Sequence, residues 1–132
     1  MDRYFTCFVL ENADPTKLHM THKYLGEQSE AAVQEIMQIC EEHFNKSTTL
    51  MPKIVFDEVD YLGEKYKRVV KCQSRLKQHL HLDLRAKLDH FRKDDYAYWL
   101  PHITHPTSHG LVARFSGYAL LKNGVVLKWW LV

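Results

Sequence analysis

The chain has 132 residues, a length that fits one domain spanning residues 1–132. Hydrophobic residues make up 45% of it and charged residues 26%, and its five Gly and four Pro exclude a collagen-like or disordered chain. Lys and Arg exceed Asp and Glu by only 18 − 16 = 2. Bulk positive charge therefore does not predict nucleic-acid binding.

The first half of the chain predicts two strands and a helix. Tyr4–Leu10 is rich in β-branched and aromatic residues and predicts a buried strand. A turn at 12–15 leads to a second short strand, Leu18–Leu25. Ser29 can cap the helix that follows. The apolar residues of this helix recur on one face, at Val33, Ile36, Met37, Cys40 and Phe44.

The second half predicts five strands and a second helix. The helix follows Ser74 and carries leucines along one side. Asn123-Gly124 separates the last two strands and is the strongest short hairpin signal, because a type I′ turn needs positive φ at both central residues. This element order predicts an α+β fold with mainly antiparallel sheet. The predicted strands are Met51–Leu62, Tyr66–Cys72, Trp99–His105, Leu111–Leu121 and Val125–Val132.

The cysteines and the N-terminal segment indicate a compartment. Cys7, Cys40 and Cys72 are odd in number and no two have a CxxC spacing, so we expect small buried thiols in a reducing environment. The first residues lack the apolar stretch of a signal peptide, and no apolar run is long enough to cross a bilayer. The sequence predicts a cytoplasmic protein without a membrane partner.

The most informative feature is a repeated tetrapeptide. His-Met-Thr-His begins at His19, and His-Ile-Thr-His begins 102 − 19 = 83 residues later, at His102. In a strand, alternate side chains face the same way. The first copy therefore presents His19 and Thr21 on one surface. The second copy presents His102 and Thr104 in the same manner, and the central Met or Ile of each points into apolar packing.

Two such pairs facing each other predict a site for phosphodiester chemistry. One neutral imidazole can accept a proton from the attacking oxygen, and a protonated one can donate a proton to the leaving oxygen, because the pKa of histidine lies near neutrality. The threonine hydroxyls can donate to non-bridging phosphate oxygens. This chemistry requires no metal and no cofactor. The symmetry of the motifs leaves open which histidine starts as the base.

The arrangement resembles the 2H phosphoesterase superfamily, which is defined by two H-x-[S/T] motifs. The strand YFTCFVL, the first motif followed by KYLG, the intervening helix and the second motif occur in the expected order over nearly the whole chain. The resemblance implies two pseudo-symmetric lobes, each of antiparallel sheet with a helix, around a central cleft. Known members act on 2′,3′-cyclic phosphates, RNA ends, 2′-5′ oligoadenylates or cyclic oligonucleotide signals.

Within that superfamily, the compact length and the segment LHMTHKYLGE look most like the phage anti-CBASS phosphodiesterases. That resemblance implies cleavage of 3′-5′ bonds in the cyclic oligonucleotide messengers of bacterial antiviral signalling, in the host cytoplasm if a phage encodes the chain. We expect a monomer. The chain departs from the usual pattern at His22 and His105, where an apolar residue is common. Two alternatives stay open: an RNA 2′,3′-cyclic phosphodiesterase acting on RNA ends, and a non-catalytic nucleotide-binding module.

A nucleotide substrate needs stacking surfaces and a cation. Only one of Trp129 and Trp130 can face the cleft, because neighbours in a strand alternate. Lys23 is the favoured phosphate-binding cation, on the reasoning that it shares the strand face of His19 and Thr21. The candidate stacking residues are Tyr4, Tyr24, Tyr98, Trp99, Trp129 and Trp130.

The plainer interpretations concern the other histidines. A zinc site that combines His19 with His22 is disfavoured, because positions i and i+3 of a strand face opposite ways and no Cys or carboxylate joins the motifs. His22 and His105 are expected to be hydrogen-bonded groups behind the site. His79 and His81 are expected to be solvated on the second helix.

Overall fold

A computed structural model describes residues 2–46, 53–62, 67–72, 80–94, 99, 102–103 and 111–131. These residues form seven β-strands and two α-helices, in the order β1–β2–α1–β3–β4–α2–β5–β6–β7. The strands are β1 (Arg3–Leu10), β2 (His19–Glu27), β3 (Lys53–Leu62), β4 (Lys67–Cys72), β5 (His102–Ile103), β6 (Leu111–Lys122) and β7 (Val125–Leu131). The helices are α1 (Glu30–Lys46) and α2 (Leu82–Leu88).

The strand pairings confirm the predicted α+β class. Within the described segments every pairing is antiparallel, and the strand order is β1-β2-β5-β4-β3-β6-β7. Strand β6 pairs with β3 through its first residues and with β1 and β7 through the rest. Because β1 also pairs with β6, the pairings form a closed circuit that joins two groups of strands, β1-β2 and β3-β4-β5.

One row of side chains across the sheet forms the centre of the core. Phe8 of β1 lies between Met20 of β2 and Tyr118 of β6. The row continues to Ile103 on one side and to Trp130 on the other. All five are buried in one apolar cluster with side chains of both helices. We call this surface of the sheet the helix face.

Helix α1 forms as its sequence pattern predicts. Its three buried residues, Val33, Ile36 and Cys40, are on the predicted apolar stripe. The Ser29 hydroxyl accepts a hydrogen bond of 3.1 Å from the Ala32 N–H and so caps the helix. Burying each aliphatic side chain contributes roughly 1.5–3 kcal/mol, so the stripe holds α1 against the sheet.

Helix α2 corrects one expectation. It begins at Leu82, and residues 73–79, where its start was predicted, lie outside the described segments. His81 at its N-terminus is buried, with 8% of its surface exposed. Its ring packs against Phe44 at 5.4 Å and Phe8 at 6.1 Å. The predicted solvated position for His81 was therefore wrong, because the residue precedes the short helix and points into the core.

The predicted hairpin between β6 and β7 is confirmed. Asn123 has φ 52° and Gly124 has φ 78°, the two positive values that a type I′ turn requires. The Asn123 side-chain oxygen accepts a hydrogen bond of 2.9 Å from the Arg3 N–H. The turn thereby fixes the register of the C-terminal strands against β1.

Two of the three cysteines have the predicted character. Cys7 and Cys40 are buried free thiols, and burial raises the pKa of each to about 12. Neither is a thiolate nucleophile near neutral pH. The side chain of Cys72 lies outside the described part. Neither described helix is long and apolar enough to cross a membrane.

Candidate active site

The two repeated motifs lie side by side. Met20 of β2 is directly opposite Ile103 of β5 in an antiparallel pairing. Because the strands are antiparallel, the residue after Met20 lies opposite the residue before Ile103. Thr21 is therefore opposite His102. His19 is then the diagonal neighbour of His102, a relation that places such residues roughly 7–8 Å apart. A single pairing therefore brings the first histidine of both motifs together.

These side chains share one surface of the sheet. Met20 and Ile103 are fully buried on the helix face. Strand alternation then puts His19, Thr21 and His102 on the opposite surface, which we call the motif face. All three are partly exposed, so a ligand in solvent can reach them. Thr104 and His105 lie outside the described residues.

The imidazole of His19 is held in one orientation. Its Nδ1 is 2.7 Å from the carbonyl oxygen of Pro15, and its ring packs at 5.0 Å from the ring of Phe5. A carbonyl only accepts hydrogen bonds, so Nδ1 carries the proton. In the neutral ring, Nε2 is therefore unprotonated and can accept a proton from another group.

The surroundings of His19 also favour its neutral form. Burial lowers its pKa, and the nearby His102 acts in the same direction. The hydrogen bond to Pro15 opposes both, because it stabilises the protonated ring. The net pKa is below the ordinary value of 6.5, so His19 is neutral at pH 7.

A row of paired residues connects the first motif to the last strand. Thr21 is opposite Cys7, Cys7 is opposite Ala119, and Ala119 is opposite Trp129. Directly paired residues share a face, so Trp129 is on the motif face, where 36% of its surface is exposed. A Cβ added to Gly117 would be 3.0 Å from Trp129 Nε1. The indole therefore lies over Gly117, in space that a side chain would fill.

The other candidate stacking residues lie elsewhere. Tyr4 and Trp130 are buried in the helix-face cluster, at 4% and 7% exposure. Trp99 packs against the same cluster, and the Arg85 guanidinium is 4.7 Å from its ring centre. Tyr98 lies outside the described residues. The expectation that Tyr4, Trp99 and Trp130 line the site is therefore corrected, since core packing occupies their rings.

Tyr24 is the remaining candidate, and 42% of its surface is exposed. Its ring lies 5.1 Å from the Arg92 guanidinium carbon, in a cation–π arrangement. Arg92 therefore already occupies a position over this ring.

Lys23 does not share the face of Thr21. Thr21 pairs with Cys7, whereas Lys23 pairs with the next residue back on β1, Thr6, so His22 is an extra residue in β2. This β-bulge breaks the alternation. Because Thr6 and Cys7 face opposite ways, Lys23 is on the helix face.

The ammonium group of Lys23 is also fully engaged. Its side chain has no exposed surface and forms salt bridges with Asp89 and with Asp94, the latter at 2.9 Å. Arg85 joins the same network at 2.7 Å from Asp94. The predicted phosphate-binding position of Lys23 is corrected: its charge is neutralised inside the protein.

His22 has the expected supporting position. Its Nε2 donates to the Leu80 carbonyl at 2.9 Å, so Nδ1 accepts from the Tyr118 hydroxyl at 2.6 Å. Complete burial holds its pKa well below the ordinary range. The sheet separates His22 from His19, which is the reason these two cannot ligate one ion.

Three residues that shape the site were not singled out in the sequence. Pro15 orients His19 through its carbonyl, Phe5 packs on the His19 ring, and Gly117 makes room for the indole. The turn at 12–15 was a visible signal, since it leads directly into β2. The other two contacts depend on strand pairing, for which the sequence carries no local signal.

Comparison with known proteins places the fold. No protein-family model matches the chain, and no curated protein matches it. A solved structure of a phosphoesterase matches with a TM-score of 0.70 and 14% identity, over 100% of this chain and 99% of that one. Escherichia coli LigT in complex with 3′-AMP matches with 0.66 and 16%, over 99% and 98%.

A third solved structure, of a Thermus thermophilus protein, matches with a TM-score of 0.63 and 15% identity, over 98% of this chain and 97% of that one. The likeness extends over the full length of the chains. It confirms the fold that the resemblance to the 2H phosphoesterases implied, and at these identities it describes the fold alone.

Proposed function

We propose that this protein is a phosphodiesterase of the two-histidine type that cleaves cyclic oligonucleotide messengers, as the anti-CBASS enzymes do. The observation that carries the proposal is the pairing of Met20 with Ile103. It supports a reaction centre in which His19, Thr21 and His102 converge on one partly exposed surface. We assign Thr104 to the same centre from the sequence of the second motif.

In the proposed first step, neutral His19 accepts the proton of the substrate's ribose 2′-hydroxyl through Nε2. The 2′-oxygen attacks the adjacent phosphorus, and the bond from phosphorus to the 5′-oxygen of the next nucleotide breaks. His102 in its protonated form donates a proton to that 5′-oxygen. The products are a 2′,3′-cyclic phosphate and a free 5′-hydroxyl, so atoms and protons balance.

In the second step the two histidines exchange roles. His102, now neutral, accepts a proton from water as the water oxygen attacks the cyclic phosphate. His19, now protonated, donates a proton to the ring oxygen that leaves. The hydroxyls of Thr21 and Thr104 donate hydrogen bonds to the non-bridging oxygens in both steps, where negative charge accumulates.

The position of Trp129 supports a nucleotide as the substrate. His19 is opposite Val9, and Val9 is opposite Gly117, over which the indole lies. Two strand spacings separate β2 from β6, which is about 10 Å. A nucleobase can therefore stack on the indole while its phosphate lies between the histidines. Stacking on an aromatic face tolerates any base.

The low net charge of the chain favours a compact substrate over long RNA. Long RNA is held by many cations, whereas this chain has a net charge of only +2, and Lys23 is neutralised internally. E. coli LigT has been solved with 3′-AMP and with NADP+, two small nucleotides, which supports a nucleotide ligand for this fold. We further propose that the protein acts as a cytoplasmic monomer.

RNA end processing is the second candidate. The 3′-AMP in LigT is a mononucleotide with a terminal 3′-phosphate, the form in which opening of a 2′,3′-cyclic end can leave a nucleotide. The same two histidines would perform only the second step in that case.

A substrate panel tests the proposal and separates the candidates. Purified protein with chelator present is given cyclic dinucleotides, a cyclic trinucleotide, 2′,3′-cyclic AMP and a short RNA with a 2′,3′-cyclic end. We expect cleavage of a cyclic oligonucleotide at rates well above those for the RNA end. Faster turnover of the RNA end would select the second candidate. Tight binding without turnover of any of them would overturn the enzymatic proposal and leave a nucleotide-binding module.

A further inference from the structure

A second group of titratable side chains lies on the helix face, at the junction of the two helices. It consists of His43 near the end of α1, His81 directly before α2, and Asp83 in the first turn of α2. One ligand atom from each lies within 4.8 Å of those of the other two. His43 Nε2 is 2.8 Å from His81 Nδ1, and His43 Nδ1 is 3.7 Å from Asp83 Oδ2.

The conformation of His81 is unusual for its residue type. Its φ of 51° and ψ of 53° lie in the left-handed region, which non-glycine residues occupy at a cost. More than nine-tenths of the residue is buried. Its Nε2 is buried and has no hydrogen-bond partner among the residues that the structure describes. The left-handed conformation holds the other ring nitrogen, Nδ1, against the second imidazole, 2.8 Å from His43 Nε2.

The donor set matches a class of metal ion. Two imidazoles and one carboxylate are ligands of divalent first-row transition metals, whereas Mg²⁺ prefers oxygen ligands and retained water. The 2.8 Å between His43 Nε2 and His81 Nδ1 is a hydrogen-bond distance, so without an ion the two nitrogens share a proton. An ion would displace that proton, and the two rings would turn towards it.

The surrounding charges permit a cation. Burial lowers the pKa of His43 and of His81, so both rings are neutral near pH 7, the form that ligates metals. Asp83 supplies a negative charge, and its side chain is 70% exposed, so it can rotate towards an ion. The positive charge of Lys87, near His43, opposes the binding of a cation.

We propose that His43, His81 and Asp83 form a binding site for a divalent transition-metal ion. The ion would replace the proton shared by the two imidazoles. It would join the C-terminal part of α1 to the start of α2. The sheet separates this site from His19 and His102, so the inference is independent of the proposed enzymatic function.

Titration calorimetry on the metal-stripped full-length protein tests the site, with NiCl₂ and ZnCl₂ as probes and MgCl₂ for comparison. We expect one equivalent of Ni²⁺ or of Zn²⁺ to bind, with no Mg²⁺ binding, and the thermal midpoint to rise with the bound ion. His43→Ala should weaken Ni²⁺ binding at least tenfold. Asp83→Asn changes an exposed side chain, cannot prevent folding by loss of packing, and should weaken binding severalfold.

His90→Ala is the matched control, because this exposed histidine lies just beyond the other end of α2. It should bind Ni²⁺ as the wild type does. The double variant His19→Ala/His102→Ala should also retain the site. The proposal is overturned if the wild type binds neither Ni²⁺ nor Zn²⁺, or if His43→Ala and Asp83→Asn both bind with unchanged affinity. Loss of binding in the double variant instead would assign the ion to the motif face.

Discussion

Met20 and Ile103 are fully buried and lie directly opposite each other, although 103 − 20 = 83 residues separate them in the chain. Their pairing joins β2 to β5 and sets the distance between the two H-x-T motifs. The apolar residue at the centre of each motif therefore has a structural role. It anchors the motif in the core while His19, Thr21 and His102 lie on the opposite, partly exposed surface.

Trp129 and Trp130 offer a matched pair of substitutions on opposite faces of one strand. Trp129→Ala removes the proposed stacking surface, so we expect KM for the nucleotide to rise roughly 5- to 150-fold, the equivalent of about 1–3 kcal/mol of stacking. The turnover number should change little. Steady-state kinetics on the substrate identified by the panel measures both.

The control is Trp130→Phe, which keeps a buried ring but loses the 2.8 Å hydrogen bond from the indole N–H to Glu41. It should lower the free energy of unfolding by about 1 kcal/mol and leave KM unchanged. Gly117→Ala should raise KM and also destabilise the fold, since its Cβ would meet Trp129 Nε1 at 3.0 Å and the Trp130 carbonyl oxygen at 2.7 Å. Equal KM values for the wild type and Trp129→Ala would remove Trp129 from the site.

The pH dependence of kcat/KM should report the neutral form of His19. Burial lowers the pKa of His19 below 6.5, and a general base is active when unprotonated. Activity should therefore persist as the pH falls through 6.5 and decline only below the lowered pKa. Phe5→Ala exposes the His19 ring to water and should move this decline towards 6.5, whereas Phe5→Leu should move it less. An acid limb that begins above 6.5 in the wild type would contradict the assignment of His19.

The buried network around Lys23 predicts a loss of stability without a loss of substrate affinity. Lys23→Met leaves the carboxylates of Asp89 and Asp94 without their buried cation, and since both are partly exposed they can be rehydrated. We expect the free energy of unfolding to fall by about 1–3 kcal/mol. Chemical denaturation measures the change. A large increase in KM with unchanged stability would restore Lys23 as a substrate-binding cation.

His22 predicts how stability depends on pH. Its pKa in the folded protein is held well below 6.5 by burial, so the unfolded chain binds more protons at mildly acidic pH. Its contribution is complete above 6.5 and is lost as the pH falls from 6.5 towards the folded pKa. The loss is at most about 1.4 kcal/mol per pH unit for one histidine. Burial also lowers the pKa of His43 and of His81, so the contribution of each to stability is likewise lost as the pH falls.

Denaturation at pH 7.5, 6.5 and 5.5 should show this decline. Tyr118→Phe leaves His22 Nδ1 without its donor and should cost about 1–3 kcal/mol at pH 7.5. The exposed His90→Ala variant should follow the wild type at every pH. A free energy of unfolding that is constant from pH 7.5 to 5.5 would contradict the buried neutral state of His22.

The elements that rest on local pattern were predictable from the sequence. Helix α1 follows from its apolar stripe, and the final hairpin follows from Asn123-Gly124. The shared face of His19 and Thr21 follows from strand alternation. In each case the physical cause is contained within a few consecutive residues.

The errors concern features that depend on a distant partner. The bulge at His22 exists only in relation to β1, and it moved Lys23 to the helix face. His81 is buried because α1 lies beside the start of α2, and no local pattern indicates that contact. Alternation allowed only one of Trp129 and Trp130 to face the site, and the register with β6 decided which.

The central claim is that His19 and His102 act in one reaction, and a double-mutant cycle on turnover tests it most directly. The wild type, His19→Ala, His102→Ala and the double variant are compared on the best substrate of the panel, after each is shown to be folded. We expect each single variant to lose at least about 10²-fold in kcat. The double variant should lose little more, because residues that act as a unit are not additive. Wild-type turnover by either single variant, or by the double variant, would contradict the account.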